Sequence, residues 1–324
     1  MYRKAEKLAG VLSAQEQRRL FSFADRRPAA DLPEGESYSY WRSTAAAFCR
    51  NRTAVFFLAV MLAVVAFSLL QPLLPGQLPA AEVNNDPVTG LPCKNLPPGR
   101  RFWLGTNEIG QDLWARLWAG TRTSLFIGFS VAGIEALVGV AVGVAWGYIR
   151  ALDVVLTELY NVTDNIPTTI VLILLSYIMR PGLGTIIFSL SLTGWIGMAR
   201  FVRNQVVILR DRDFVLASRC LGTPTARVII RGLLPHLVSV VALRAALSIP
   251  AAIGSEVFIT YIGLGLPANL PSLGNLLNAG RKLMMSRSLR YQLVFPAAVL
   301  SLVTVSFYLV GSALADAADP RNHR

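Results

Sequence analysis

Apolar residues in this chain gather into long runs, with polar and basic segments between them. The first run spans 54–75, and at ~1.5 Å per residue a helix of that length covers the ~30 Å hydrocarbon core of a bilayer. Further runs lie at about 123–149, 154–179, 184–199, 237–262 and 292–315. The third is interrupted by Asn161, Asp164, Asn165 and Pro167. The pattern predicts an all-α polytopic membrane protein with six transmembrane helices. Its expected layout is a basic N-terminal segment (1–53), a first span (54–75), a Pro-rich loop (76–122), a core of five spans (123–315) and a short tail (316–324). Because the first apolar run starts so late, it reads as an uncleaved span and not as a signal peptide.

Composition agrees. Hydrophobic residues make up 53% of the 324 and charged residues only 15%, against about 25% charged in an average soluble domain. The mean hydropathy is +0.49. The formal charge of +12 would suggest nucleic acid in a soluble protein, but nucleic-acid binders collect their cations on a polar face. Here apolar runs separate the basic clusters, so no nucleic-acid partner is expected and membrane lipid is. With the N-terminus inside, twenty Lys/Arg fall on the inner segments and ten on the outer ones. That asymmetry places both termini in the cytoplasm and the 76–122 loop outside. Segment 1–53 reads either as an arm lying on anionic lipid or a partner, or as a linker.

Candidate chemistry is sparse. Cys49, Cys93 and Cys220 are far apart and the histidines are His236 and His323, a pattern that suits neither a disulfide framework nor a metal site. No GxxxxGK[ST] loop occurs, so no nucleotide cofactor is expected on this chain. Gly139, Gly143 and Gly147 form overlapping GxxxG units, with Ser124, Gly128, Ala132 and Ala136 spaced by four upstream. Such stripes let helices approach closely in lipid, either within the bundle or at a subunit interface. Glu135, Arg244 and Glu256 fall inside spans, where a charge faces a bundle interior or a cavity. Arg244 and Glu256 are ~18 Å apart along one helix, so they do not pair directly, and Arg244 has the option of snorkelling. Glu135 and Glu256 are candidates for structure or for a translocation pathway.

Segment 200–236 holds seven of the inner cations and is the most informative region of the chain. Asp213 to Leu221 reads as a short helix, with Asp211 or Asp213 favouring its start, Gly222 its stop, and Pro224 barring continuation. A second helix then leads to Leu234, Pro235 and the fifth span. Ala217, Ser218, Gly222, Leu234 and Pro235 in this order resemble the EAA loop of bacterial ABC importer permeases, with Leu216 where the family usually has Glu. Leu104-Gly-Thr-Asn-Glu-Ile-Gly-Gln-Asp112, followed by Arg116 and Gly120, resembles the L-G-T-D-x-x-G-R-D signature of the dipeptide/oligopeptide/nickel permease group, C-type subunit. Asn107 and Gln111 replace its usual Asp and Arg. Glu256 with Tyr261-Ile-Gly-Leu-Gly265, Pro271-Ser-Leu-Gly-Asn275 and Asp319-Pro320-Arg321 resemble further segments of that group.

The resemblance implies the type I ABC importer permease fold in a bacterial inner membrane. It implies as partners a homologous second permease, two ATPase subunits holding ATP and Mg, and an extracytoplasmic solute-binding protein, with a peptide as cargo. No cofactor or metal would bind this chain, and no catalysis would occur on it. Asp213, Phe214, Ala217, Ser218, Arg219, Gly222, Leu234 and Pro235 would form the loop that takes up motion from the ATPases. Glu135, Gly139, Gly143, Gly147 and Glu256 would line the pathway or a subunit interface. Two alternatives stay open: an ion-gradient-driven carrier, for which the intramembrane acids are few, and an ABC permease for a nickel chelate or another non-peptide solute. A non-transporting membrane scaffold is a third class.

Overall fold

The computed structural model describes residues 40–318. The expected N-terminal arm, up to residue 39, and the Asp319-Pro320-Arg321 and His323 positions lie outside them. Ten principal helices follow in order among these residues: α1 (Tyr40–Arg50), α2 (Arg52–Leu70), α3 (Leu113–Tyr148), α4 (Arg150–Asp164), α5 (Thr168–Ile178), α6 (Leu183–Arg210), α7 (Asp213–Cys220), α8 (Leu234–Tyr261), α9 (Leu273–Lys282) and α10 (Tyr291–Ala318). Extended pairing among the described residues is confined to two isolated β-bridges in the 76–112 connection.

Helix starts follow local chemistry. The Asn51 side chain accepts from the Ala54 N–H at α2, Asp112 from Trp114 and Ala115 at α3, and Ser272 from Asn275 at α9, each satisfying N–H groups that lack an intrahelical partner. α1 falls inside the segment read as merely polar and basic, and so was not anticipated. The fifth span has no break at Pro235. Thr225 to Tyr261 is one continuous helix, wound as a π-helix over Val228–Leu233 just before a proline that cannot donate an N–H.

Among the described residues, five helices are long and apolar enough to cross a membrane: Arg52–Leu73, Leu113–Tyr148, Leu183–Arg210, Thr225–Tyr261 and Tyr291–Ala318. The expected third span is not one of them. It is two shorter helices, α4 and α5, divided at Asn165-Ile166-Pro167. The physical reason is Pro167, which biases Ile166 away from helical geometry, next to two amides and a carboxylate that find backbone partners outside a helix.

α3 and α6 form the most extensive helix pair, and they run parallel. Gly139 abuts Met198, Gly143 abuts Ala199 and Val202, and Gly147 abuts Val206. Two parallel helices in sequence require the chain between them to travel back the length of the pair, and α4 and α5 perform that return. α8 is antiparallel to α3: Gly128 meets Ile249 and Ile253, while Ser124 bonds Glu256. Ala54 of α2 packs with Ala313 and Ala317 of α10. One end of the bundle therefore carries the 76–112 connection and α9, and the other carries α7.

Candidate functional site

α7 is an eight-residue helix fixed at few points. Val215 is buried against the cluster containing Val202, Val206, Val228 and Leu233. Arg219 lies over the Tyr148 ring and donates to its hydroxyl at 3.2 Å, and Phe214 stacks on His236 with centroids 5.4 Å apart. Leu216, Ala217 and Cys220 are exposed, and Leu221 is 85% exposed. A helix so apolar on its open side leaves surface that a partner can cover.

Its start corrects the expected capping. Arg212 occupies the N-cap with no side-chain bond, and Asp213 at the first helical position contributes its charge to the helix dipole instead. Its end meets expectation. Gly222 has φ +73°, and its N–H donates to Arg219 O while Thr223 N–H donates to Ser218 O, the Schellman pattern that closes a helix with a left-handed residue. The loop is shorter than expected, because 200–210 is the last three turns of α6. Of the Leu-Leu-Pro run, Leu233 takes the core position and Leu234 is half-buried. Val215, Tyr148 and His236 escaped the sequence reading, since nothing in their spacing marks a tertiary contact.

The glycine stripe lies inside this subunit. A Cβ at Gly143 would sit 2.5 Å from Ala199 O, and one at Gly147 would sit 2.9 Å from Arg203 O. Gly139, Gly143 and Gly147 thus bring α3 backbone onto α6 of the same chain. Glu135, four residues earlier, rests its carboxylate in the hollow left by Gly194. It opens into a cavity of about 240 Å³ that it shares with Thr193, Arg244, Ser248 and Ser255.

Glu256 has a different setting. It is fully buried, accepting from Ser124 Oγ at 2.9 Å and from Thr260 Oγ1 at 3.1 Å. Ser124 Oγ in turn accepts from the Leu273 N–H, and Thr260 Oγ1 from the Leu266 N–H. The carboxylate therefore ties α3 and α8 to the 262–272 loop and the start of α9. These contacts favour the structural one of its two readings. Glu256→Gln keeps an acceptor and is expected to preserve assembly. Glu256→Leu removes the acceptor for both hydroxyls, at roughly 1–3 kcal/mol for each buried group left unpaired. A thermal-unfolding midpoint for Leu equal to that of Gln would contradict this.

At the opposite end, the two departures from the L-G-T-D signature prove to be one. Asn107 Nδ2 donates to Gln111 Oε1 at 3.0 Å, so an amide pair stands where the signature has an Asp and an Arg. Gln111 Oε1 also accepts from the buried Arg116, whose Nη2 reaches Ala268 O. This network fastens the 76–112 connection to the segment before α9.

Comparison with known proteins places this arrangement. Residues 138–324 match the family described as the binding-protein-dependent transport system inner membrane component. Residues 39–98 match the N-terminal TM domain of oligopeptide transport permease C. The oligopeptide transport system permease protein AmiD of Streptococcus pneumoniae is 34% identical, over 94% of this chain and 97% of its own. The dipeptide transport system permease protein DppC of Bacillus subtilis is 36% identical over 91% and 90%, and OppC of the same organism is 32% identical over 88% and 91%. Among solved structures, an inward-facing MetNI methionine ABC transporter chain aligns with TM-score 0.49 at 20% identity, over 62% of this chain and 96% of that one. The chain belongs to the family of inner-membrane components of binding-protein-dependent transport systems, as a non-catalytic ABC importer permease of the dipeptide/oligopeptide group.

Proposed function

We propose that this chain forms, with a homologous second permease, the translocation pathway of an ATP-driven importer of short peptides, and that two ATPase subunits dock on α7. An extracytoplasmic binding protein delivers the cargo. The observation that carries the coupling role is α7 itself: a short exposed helix, closed by Gly222 and wedged between α6 and the start of the 225–261 helix. A push on it reaches two long membrane helices as nearly rigid bodies. Peptide as cargo is supported by the relatives, two of them oligopeptide and one a dipeptide transport system. ATP and Mg sit in the ATPases, not here.

The proposal includes an inner-membrane orientation with both termini cytoplasmic and with α4 and α5 together making the third of six crossings. Single cysteines placed in 80–98 are then expected to react from outside and those in 211–224 only from inside. Labelling of both sets from one face would overturn the topology. The function is tested by uptake of a radiolabelled peptide into cells expressing the whole system. Vanadate-sensitive uptake and co-purification with two ATPase chains are expected. Uptake abolished by an ionophore but indifferent to vanadate would favour the gradient-driven carrier instead.

A further inference from the structure

Glu135 and Arg244 are far apart in sequence, on α3 and α8, yet both line the 240 Å³ cavity. No ion pair within 4.0 Å joins them; Arg244 instead lies 5.9 Å from the Phe201 ring centroid. Glu135 has Ser248 beside it on the α8 wall. Both are well inside the bundle: Glu135 is ~20 Å from the Tyr148 end of α3 and Arg244 ~15 Å from the Leu234 end of α8. Charges at such depth are costly and are retained where they meet a cavity or a pathway.

The cavity shares Thr168, Thr193, Gly194 and Gly197 with a second, larger one of about 490 Å³ between α4, α5 and α6. Its walls are largely apolar, with Leu159, Ile166, Val171 and Trp195, and also carry Tyr160 and Asp164. The larger volume falls within the roughly 300–1,000 Å³ typical of small-ligand sites, and the smaller lies just below that range. Two separated opposite charges next to an apolar chamber match one kind of ligand: a short molecule carrying an ammonium and a carboxylate with apolar side groups between or beside them. A simple cation would leave Arg244 repelling it, and a simple anion would do the same with Glu135.

From this juxtaposition we propose that Glu135 and Arg244 read the two free ends of the transported peptide, the ammonium at Glu135 and the carboxylate at Arg244, while its side chains occupy the chamber beside Trp195. The inference rests on the peptide-importer reading above. It assigns specificity to the permease itself, in addition to whatever selection the binding protein makes.

The test uses the assembled permease–ATPase complex without the binding protein, so that only the membrane site is read. Cys49 and Cys220 are exposed and Cys93 is buried, so Cys49→Ser and Cys220→Ser leave a chain in which Ser255→Cys, on the cavity wall, is the reporter. Trialanine is expected to slow maleimide modification of that cysteine at least fivefold. N-acetyl-trialanine amide, which carries neither charge, is expected to give no protection. Glu135→Gln should remove the preference for a free amino end over N-acetyl-trialanine, and Arg244→Gln the preference for a free carboxylate over trialanine amide. Protection that is absent, equal for blocked and free peptides, or unchanged in both variants would overturn the proposal. ATP-driven uptake of trialanine by the complete wild-type system, measured in parallel, keeps the two readings apart. Uptake without protection sinks only the end-reading site, whereas protection without uptake sinks only the importer.

Discussion

Gly222→Val is expected to abolish substrate uptake, and the stimulation of ATP hydrolysis by delivered substrate, while the chain still inserts in the membrane at wild-type levels. The reason is confined to the backbone. Gly222 sits at φ +73° with nothing within 4 Å of where a Cβ would be, so no clash is involved. A β-branched residue in that left-handed region is an outlier, and holding it there costs on the order of 1–3 kcal/mol. The turn relieves this strain by releasing the Schellman bonds, which re-aims an eight-residue helix held by few anchors. Gly222→Asn is the control, because asparagine tolerates the left-handed conformation and is expected to retain most activity. Ala217→Trp acts differently. It adds bulk to an exposed position of α7 and should block docking with the turn intact. Equal activity of the Val and Asn variants would remove the backbone argument.

The second large effect is expected at Gly143. A Cβ there would fall 2.5 Å from Ala199 O and 2.7 Å from Val202 Cβ, and a backbone carbonyl in the middle of a 28-residue helix has little room to yield. Overpacking a well-filled interior ordinarily costs about 1–3 kcal/mol. Gly143→Leu adds far more than one methyl, so α3 and α6 must separate. The expected outcome is loss of the folded chain from the membrane, seen as a collapse of detergent-stable protein by size-exclusion fluorescence. Gly133→Leu, on the same helix but with nothing within 4 Å of its Cβ position, should leave expression near wild type. Comparable yields from the two variants would contradict the packing account.

These expectations divide by what a linear sequence encodes. The spans at α2, α3, α6, α8 and α10 were legible because bilayer crossing demands long apolar runs and their lengths are visible residue by residue. The interrupted third run was legible as irregular, through Asp164, Asn165 and Pro167, but its division into two helices depends on where the backbone finds partners. Gly222 announced its own conformation, since a glycine ahead of Thr-Pro has a local reason to end a helix. The direction of the glycine stripe was not legible. Gly139, Gly143 and Gly147 state that something approaches closely, and only the parallel run of α6 identifies what. The same limit separated Glu135 from Glu256. Both are lone acids in apolar runs, yet one opens into a cavity with Arg244 and the other is enclosed by the hydroxyls of Ser124 and Thr260. Charge in a span signals importance, and the neighbours that decide its role come from other helices.

The proposed contact of α7 with the ATPases has a native reporter in this chain. Cys220, the last residue of α7, is exposed and free. In a Cys49→Ser background, maleimide labelling of Cys220 is measured in the isolated permease pair and again in the complex with both ATPases. Docking on α7 predicts that labelling falls at least fivefold in the complex and recovers when the ATPases are stripped. Labelling at the same rate in both states would place the ATPases elsewhere and contradict the central claim.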